Sequence, residues 1–170
     1  NEPSCTASDL IANSEDLIIL TGNYNDFFGK LFNANKIKNI RDIIKNLSEV
    51  FKDRIYIEIQ RHEEPYEKNF ENFLFSISSS YNLPLIASQE VFYLEPDMVE
   101  AHDALLCIGQ KKFIDDPNRL RMSKHHYLKK DEEIKKIYSD IPEALINNYN
   151  FPLRFNFKPK KSKPILPSIS

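Results

Sequence analysis

Glu90, His62, His102, His125 and His126 are the side chains of this chain best suited to acid–base or metal chemistry. Hydrolysis at a metal centre requires several imidazoles and carboxylates converging on an ion, which turns bound water into hydroxide. The spacing argues against such a centre. None of the four histidines forms His-x-His or Asp-x-His, and neighbours such as His125 and His126 point different ways along a helix or strand. Chemistry in α/β folds is usually placed just past the carboxyl ends of parallel strands. The best candidate for that position, Gln89-Glu90-Val91-Phe92-Tyr93, offers one carboxylate and two aromatics. No catalytic residue and no metal ligand is expected in this chain.

The elements that must position these residues alternate. Pro84-Leu85-Ile86-Ala87-Ser88 is a short apolar strand opening onto Glu90, with a helix following before Ile108. Asp16 to Gly22 is a buried parallel strand closed by glycine. Asp26 to Asn33 is helical, and Ile37 to Phe51 carries a helical stripe of Ile37, Ile40, Ile43, Ile44, Leu47, Val50 and Phe51. Arg54 to Gln60 alternates with period two and is a strand. Tyr66 to Tyr81 puts Phe70, Phe73, Leu74 and Ile77 on one helical face. This β-α-β-α-β order predicts an α/β fold with parallel strands and crossover helices. Beyond Ile108 a turn-rich stretch holds Asp115-Asp116-Pro117-Asn118, then two short helices are expected at Asp131 to Tyr138 and Pro142 to Asn148.

Composition bounds the function classes. At 170 residues, 28% charged, 41% hydrophobic and a net charge of -2, the chain is large enough for a real core and has no basic excess advertising nucleic acid. Cys5 and Cys107 are too few and too far apart for a disulfide framework. No apolar run approaches a membrane span, and no membrane partner is expected. The chain begins at Asn1 rather than methionine, which fits an excised fragment.

Specific runs resemble a known family. Leu83-Pro84-Leu85-Ile86-Ala87 and Ala101-His102-Asp103-Ala104-Leu105-Leu106-Cys107-Ile108 are similar to segments of the PHP (polymerase and histidinol phosphatase) domain of bacterial replicative DNA polymerase III alpha subunits. So are Asp16 to Gly22, Asp53 to His62, Asp115-Asp116-Pro117, Ile141 to Asn147 and Lys163-Pro164-Ile165-Leu166-Pro167. The resemblance covers nearly the whole chain in order. It implies the C-terminal part of a distorted (β/α)7 PHP-type barrel over residues 1–151, followed by a basic, proline-studded linker over residues 152–170. Where metal-binding members carry Asp-x-His this chain has Glu90-Val91-Phe92, and Asn23 stands where active members often place Cys or His.

By that resemblance Asn23, His62, Glu90, Phe92 and His102 would form a degenerate remnant of the family's site. The parent would synthesise DNA in the cytoplasm of a bacterium, using Mg in other domains, with no cofactor in this segment. The segment would be a non-catalytic scaffold, a docking place for the separate proofreading exonuclease subunit, with DNA contacted through other domains. A second reading is an active metal-dependent phosphoesterase or 3′–5′ exonuclease completed by the absent amino-terminal half. A third is a free-standing binding module.

Each candidate also has a plainer role. His62 could simply bond nearby backbone at a strand end. His102 and Asp103 could be a buried post fixing helix to barrel, with core-like Leu105 and Leu106 beside them. Glu90 could be solvated or paired with an arginine. Lys124, Lys129 and Lys130 around His125-His126-Tyr127, and Lys158, Lys160 and Lys161 in the tail, could touch phosphates or an acidic partner. Finally, half a barrel leaves a bare strand edge, so the chain should self-associate there or cover the edge with its tail.

Overall fold

The computed structural model describes residues 4–161. A three-stranded parallel sheet, ordered β1 (Ile19–Leu20), β2 (Ile55–Gln60), β3 (Leu85–Ser88), lies at its centre. Helices α1 (Ala7–Ala12), α2 (Phe27–Asn33) and α3 (Ile37–Phe51) lie before β2, and α4 (Glu67–Tyr81) joins β2 to β3. Then come α5 (Val99–Gln110), α6 (Asp131–Ile137) and α7 (Pro142–Asn150), with a closing 3-10 turn at Phe151–Arg154. The architecture is mixed α/β, as the alternating pattern predicts.

β2 is the central strand. Ile55, Tyr56, Ile57, Glu58 and Ile59 are all buried, as both faces of a covered parallel strand should be. Ile55, Ile57 and Ile59 join Ile40, Ile44, Leu47 and Phe51 of α3 and Phe70, Leu74 and Ile77 of α4 in one core. The alternate positions Glu58 and Gln60 point away from that core and toward the polar end of the sheet. Tyr138, 2% exposed, donates its hydroxyl to Ser88 O at 2.8 Å, tying the segment after α6 to the carboxyl ends of the strands.

Three local expectations change. The strand expected over residues 16–22 is two residues long. Asp16 takes φ 57 and Gly22 φ 78, so the chain turns at both ends, and Thr21 Oγ1 replaces a ladder carbonyl by accepting from Glu58 N at 2.9 Å. Ala7–Ala12 is a helix that apolar periodicity does not announce, opened by a capping box between Thr6 and Asp9. Leu105 is 64% exposed rather than core-like, and Asp103 pairs with Arg119 at 2.8 Å. It therefore fixes α5 to the loop that follows, not to the sheet.

The strand edges are treated unequally. Asn147 donates to Leu85 O at 2.6 Å, and Asn148 both accepts from Ala87 N at 3.1 Å and donates to Ala87 O. Side chains of α7 thus satisfy the outer edge of β3. β1 pairs with β2 alone among the described residues. The linker boundary expected at residue 152 falls inside the closing turn, where Arg154 holds Asp53 O and Tyr56 Oη, each at 2.6 Å. The exit motif Lys163 to Pro167 lies outside the described residues.

Candidate functional site

Past the carboxyl ends of the strands, three chain segments converge. The first is the turn after β1, where Asn23 donates Nδ2 to Gln60 Oε1 at 3.3 Å and to Glu90 Oε2 at 3.4 Å. Gly29 sets that turn: a Cβ there would stand 2.0 Å from Tyr24 O, so only glycine lets α2 press against the backbone beside Asn23. The second is the end of β2 with Glu58, Gln60 and His62. The third follows β3, where a parallel bridge between Tyr93 and Tyr127 brings residues 89–93 beside residues 125–128. Phe92 N donates to His126 O at 2.9 Å, and Leu128 N to Tyr93 O at 3.0 Å.

That bridge buries His126 against His62, with ring centroids 4.0 Å apart and planes 4° from parallel. Both imidazoles hold the backbone of one residue. Glu90 N donates to His62 Nε2 at 3.1 Å, and His126 Nδ1 lies 3.1 Å from Glu90 O. A ring nitrogen that accepts carries no proton, so the His62 hydrogen sits on Nδ1, 3.5 Å from Glu67 Oε1. Glu67 in turn accepts from His62 N at 2.7 Å. The plainer role of His62, bonding nearby backbone, is the geometry present. Burial is the main force pushing the His126 imidazole down to about 4.

Among the described residues Glu90 has no arginine partner; its neighbours are Asn23, His62 and His126. Burial raises its carboxyl above the ordinary range. Glu58, missed by the sequence reading, is the more deeply held carboxylate. It accepts from Gly22 N at 3.0 Å, Ser88 Oγ at 2.5 Å and Gln60 Nε2 at 3.1 Å, joining all three strands. A carboxylate inside the apolar run IYIEIQ was the signal available.

The remaining expected site residues take these places. Phe92 stacks with His102 at 5.2 Å and tilts against His126 at 5.2 Å, so Asn23, His62 and Glu90 form one layer and Phe92 and His102 the next. Lys124, Lys130, Lys158, Lys160 and Lys161 are exposed. Lys129 is 7% exposed, its ammonium bonded to His125 O and lying 4.8 Å from the Tyr127 ring, so it does not stand at the surface with the others. His125 faces outward to Glu63 at 3.1 Å.

Chemically the site is a polar lock. Its cavity of about 30 Å³, lined by Asn23, Glu58, His62, Glu67, Glu90 and His126 among others, has room for one or two waters and is too small for a nucleotide. Among the described residues no three His, Cys, Asp or Glu side chains are grouped to hold a metal ion. A metal cluster does not fit here: His62 Nε2 already accepts from Glu90 N, and Phe92 offers no donor.

The sequence aligns end to end with a segment of much longer proteins. It is 35% identical over 168 residues to the DNA polymerase III subunit alpha of Caulobacter vibrioides, covering 99% of this chain and 15% of that protein. This chain is similar to the polymerase III alpha subunit. The alpha subunits of Rickettsia bellii and Pseudomonas aeruginosa match at 34% over 165 residues and 30% over 157 residues. The chain spans 13 to 15% of the length of these alpha subunits. No family model matches it. No described helix is long and apolar enough to cross a membrane.

Proposed function

We propose that this chain is a structural, non-catalytic segment of a DNA polymerase III alpha subunit: the second half of a distorted (β/α)7 PHP-type barrel. The observation that carries this reading is the colinear match over 99% of the chain to a small part of an alpha subunit. The parallel order β1-β2-β3 with intervening helices is compatible with such a barrel. The site supports a scaffold role. Its two stacked imidazoles each commit a nitrogen to the backbone of Glu90, and Glu58 is spent on joining strands.

In the whole protein, deoxynucleoside triphosphates would be added to a primer by carboxylates and Mg in other domains. Residues 1–151 would support that machinery in the bacterial cytoplasm and dock the proofreading exonuclease subunit. Residues 152–170 would lead toward the polymerase domains, with Lys158, Lys160 and Lys161 contacting phosphate or an acidic partner. The edge of β1 that carries no further strand among the described residues is the place for self-association or for the rest of a barrel.

The test is primer extension by the full-length protein. Wild type should incorporate nucleotides, and His62→Ala or Glu90→Ala should leave the rate within about twofold if the fold is retained. A folded variant slowed by about a hundredfold or more would place these residues in the chemistry and refute the scaffold role.

A further inference from the structure

Charge is sorted along this chain. Residues 109–130 hold seven lysines and arginines against two aspartates, a net +5 in a chain whose overall charge is -2. The stretch leaving α5 folds into a fixed loop rather than a solvated tether. Lys112 N donates to Cys107 O at 2.9 Å, Asp116 N to Phe113 O at 3.1 Å and Leu120 N to Gln110 Oε1 at 3.5 Å, so the two feet of the loop meet. Arg119, its side chain 6% exposed, pins the loop from inside, donating to Ile114 O at 2.7 Å and to Asp103 of α5 at 2.8 Å. Asp116 lies 3.4 Å from Lys112, which leaves Asp115 as the loop's remaining carboxylate. The cations that face solvent are Lys111, Arg121 and Lys124. Arg121 stands 3.8 Å from Asp103 yet its side chain is 70% exposed, open to a further anion. Phe113, two residues from Lys111, is 80% exposed.

A ring so far clear of the surface offers a flat face rather than a pocket, which suits a nucleobase better than the side chain of a peptide. Single-stranded nucleic acid binds through both features present here, cations along its phosphates and aromatic faces under its bases. Duplex DNA keeps its bases stacked on one another and would meet only the cations. We infer that residues 111–124 form a binding site for single-stranded DNA, with a base stacked on Phe113 and phosphates paired with Lys111, Arg121 and Lys124. This rests on the reading of the chain as a segment of a DNA polymerase, in which unpaired template supplies the strand. It goes beyond that reading by placing a DNA contact in this segment itself. The Asp103–Arg119 pin preorganises the loop, so binding costs little ordering entropy.

A photo-crosslinking amino acid at position 113 of the full-length polypeptide, irradiated with a labelled primer–template, tests the site. The expected product joins position 113 to the unpaired stretch of the template and disappears with fully duplex DNA. A crosslink to duplex, a crosslink only to protein, or no product would each overturn the inference. Binding of labelled oligothymidylate gives a second readout, on variants whose thermal unfolding matches wild type. Phe113→Ala should weaken binding about tenfold through the lost stacking. Lys111→Ala, Arg121→Ala and Lys124→Ala together should lower the slope of log affinity against log salt by about 2, as three phosphate contacts require. Lys135→Ala with Lys136→Ala, exposed on α6 outside the loop, should change neither quantity. Unchanged affinity and slope in the loop variants, or an equal effect from the α6 pair, would also overturn it. Nucleotide incorporation by the wild-type preparation keeps the two readings apart. Its absence sinks the polymerase assignment, whereas incorporation without the crosslink sinks only the loop as a DNA site.

Discussion

Acidification should loosen this fold through one imidazole. His126 is 4% exposed, stacked on His62, 3.9 Å from Glu64 and close to Lys129, and its proton affinity falls from 6.5 to about 4. A tenfold change in proton affinity is about 1.4 kcal/mol, so the gap amounts to at most about 3 kcal/mol. The sign follows from which state binds the proton first. The unfolded chain is protonated near 6.5 while the folded chain resists until about 4, so stability is full above 6.5, falls between 6.5 and 4, and levels off below. Glu90 works the other way. Its raised carboxyl takes up a proton more readily in the folded state, which offsets part of the loss as pH falls. The comparison is therefore between wild type and His126→Gln, in urea unfolding at pH 7, 5.5 and 4. Wild type should lose up to about 3 kcal/mol more than the variant over that range. Parallel curves for the two proteins, or an NMR titration of the His126 ring with a midpoint near 6.5, would refute the reasoning.

Other perturbations test the parts that hold the site. Glu58→Ala strands the Gly22 amide and the Ser88 hydroxyl and should cost about 3 kcal/mol in denaturant unfolding; a cost under about 1 kcal/mol would mean the carboxylate does not join the strands. Asn148→Ala removes the amide that meets both polar groups of Ala87, and about 1–2 kcal/mol should be lost with faster hydrogen exchange along β3. Gly29→Ala puts a methyl against the Tyr24 carbonyl, so Asn23 should move and the fold weaken, seen as loss of its cross-strand NMR contacts; a variant as stable as wild type would contradict the packing.

Periodicity carried the fold where burial is one-sided. The stripe at Ile40, Ile44, Leu47 and Phe51 delimited α3, and the β-branched run around Ile57 delimited β2. It failed where local chemistry or distant contacts decide. β1 shrinks because Asp16 and Gly22 adopt positive φ, and α1 rests on a capping box rather than on apolar spacing. Leu105 is the right residue type for a core but sits on the outward arc of its helix, and residue type alone does not say which way an apolar face turns. The site was half legible. Asn23, His62 and Glu90 end strands that share a sheet, so their convergence follows from topology. His126 joins them through the Tyr93–Tyr127 bridge, a contact across more than thirty residues that no local spacing encodes. Lys129 was grouped with exposed lysines by sequence, yet the same bridge folds it inward.

The central claim is that the site's donors are committed to holding the fold rather than an ion. Its direct measurement is Zn²⁺ and Mn²⁺ titration of this chain by calorimetry, with bound metal counted by mass spectrometry after gel filtration. No stoichiometric metal should bind, and the His62 and His126 ring resonances should not change. One tightly bound ion per chain, lost in Glu90→Ala or His62→Ala, would contradict it.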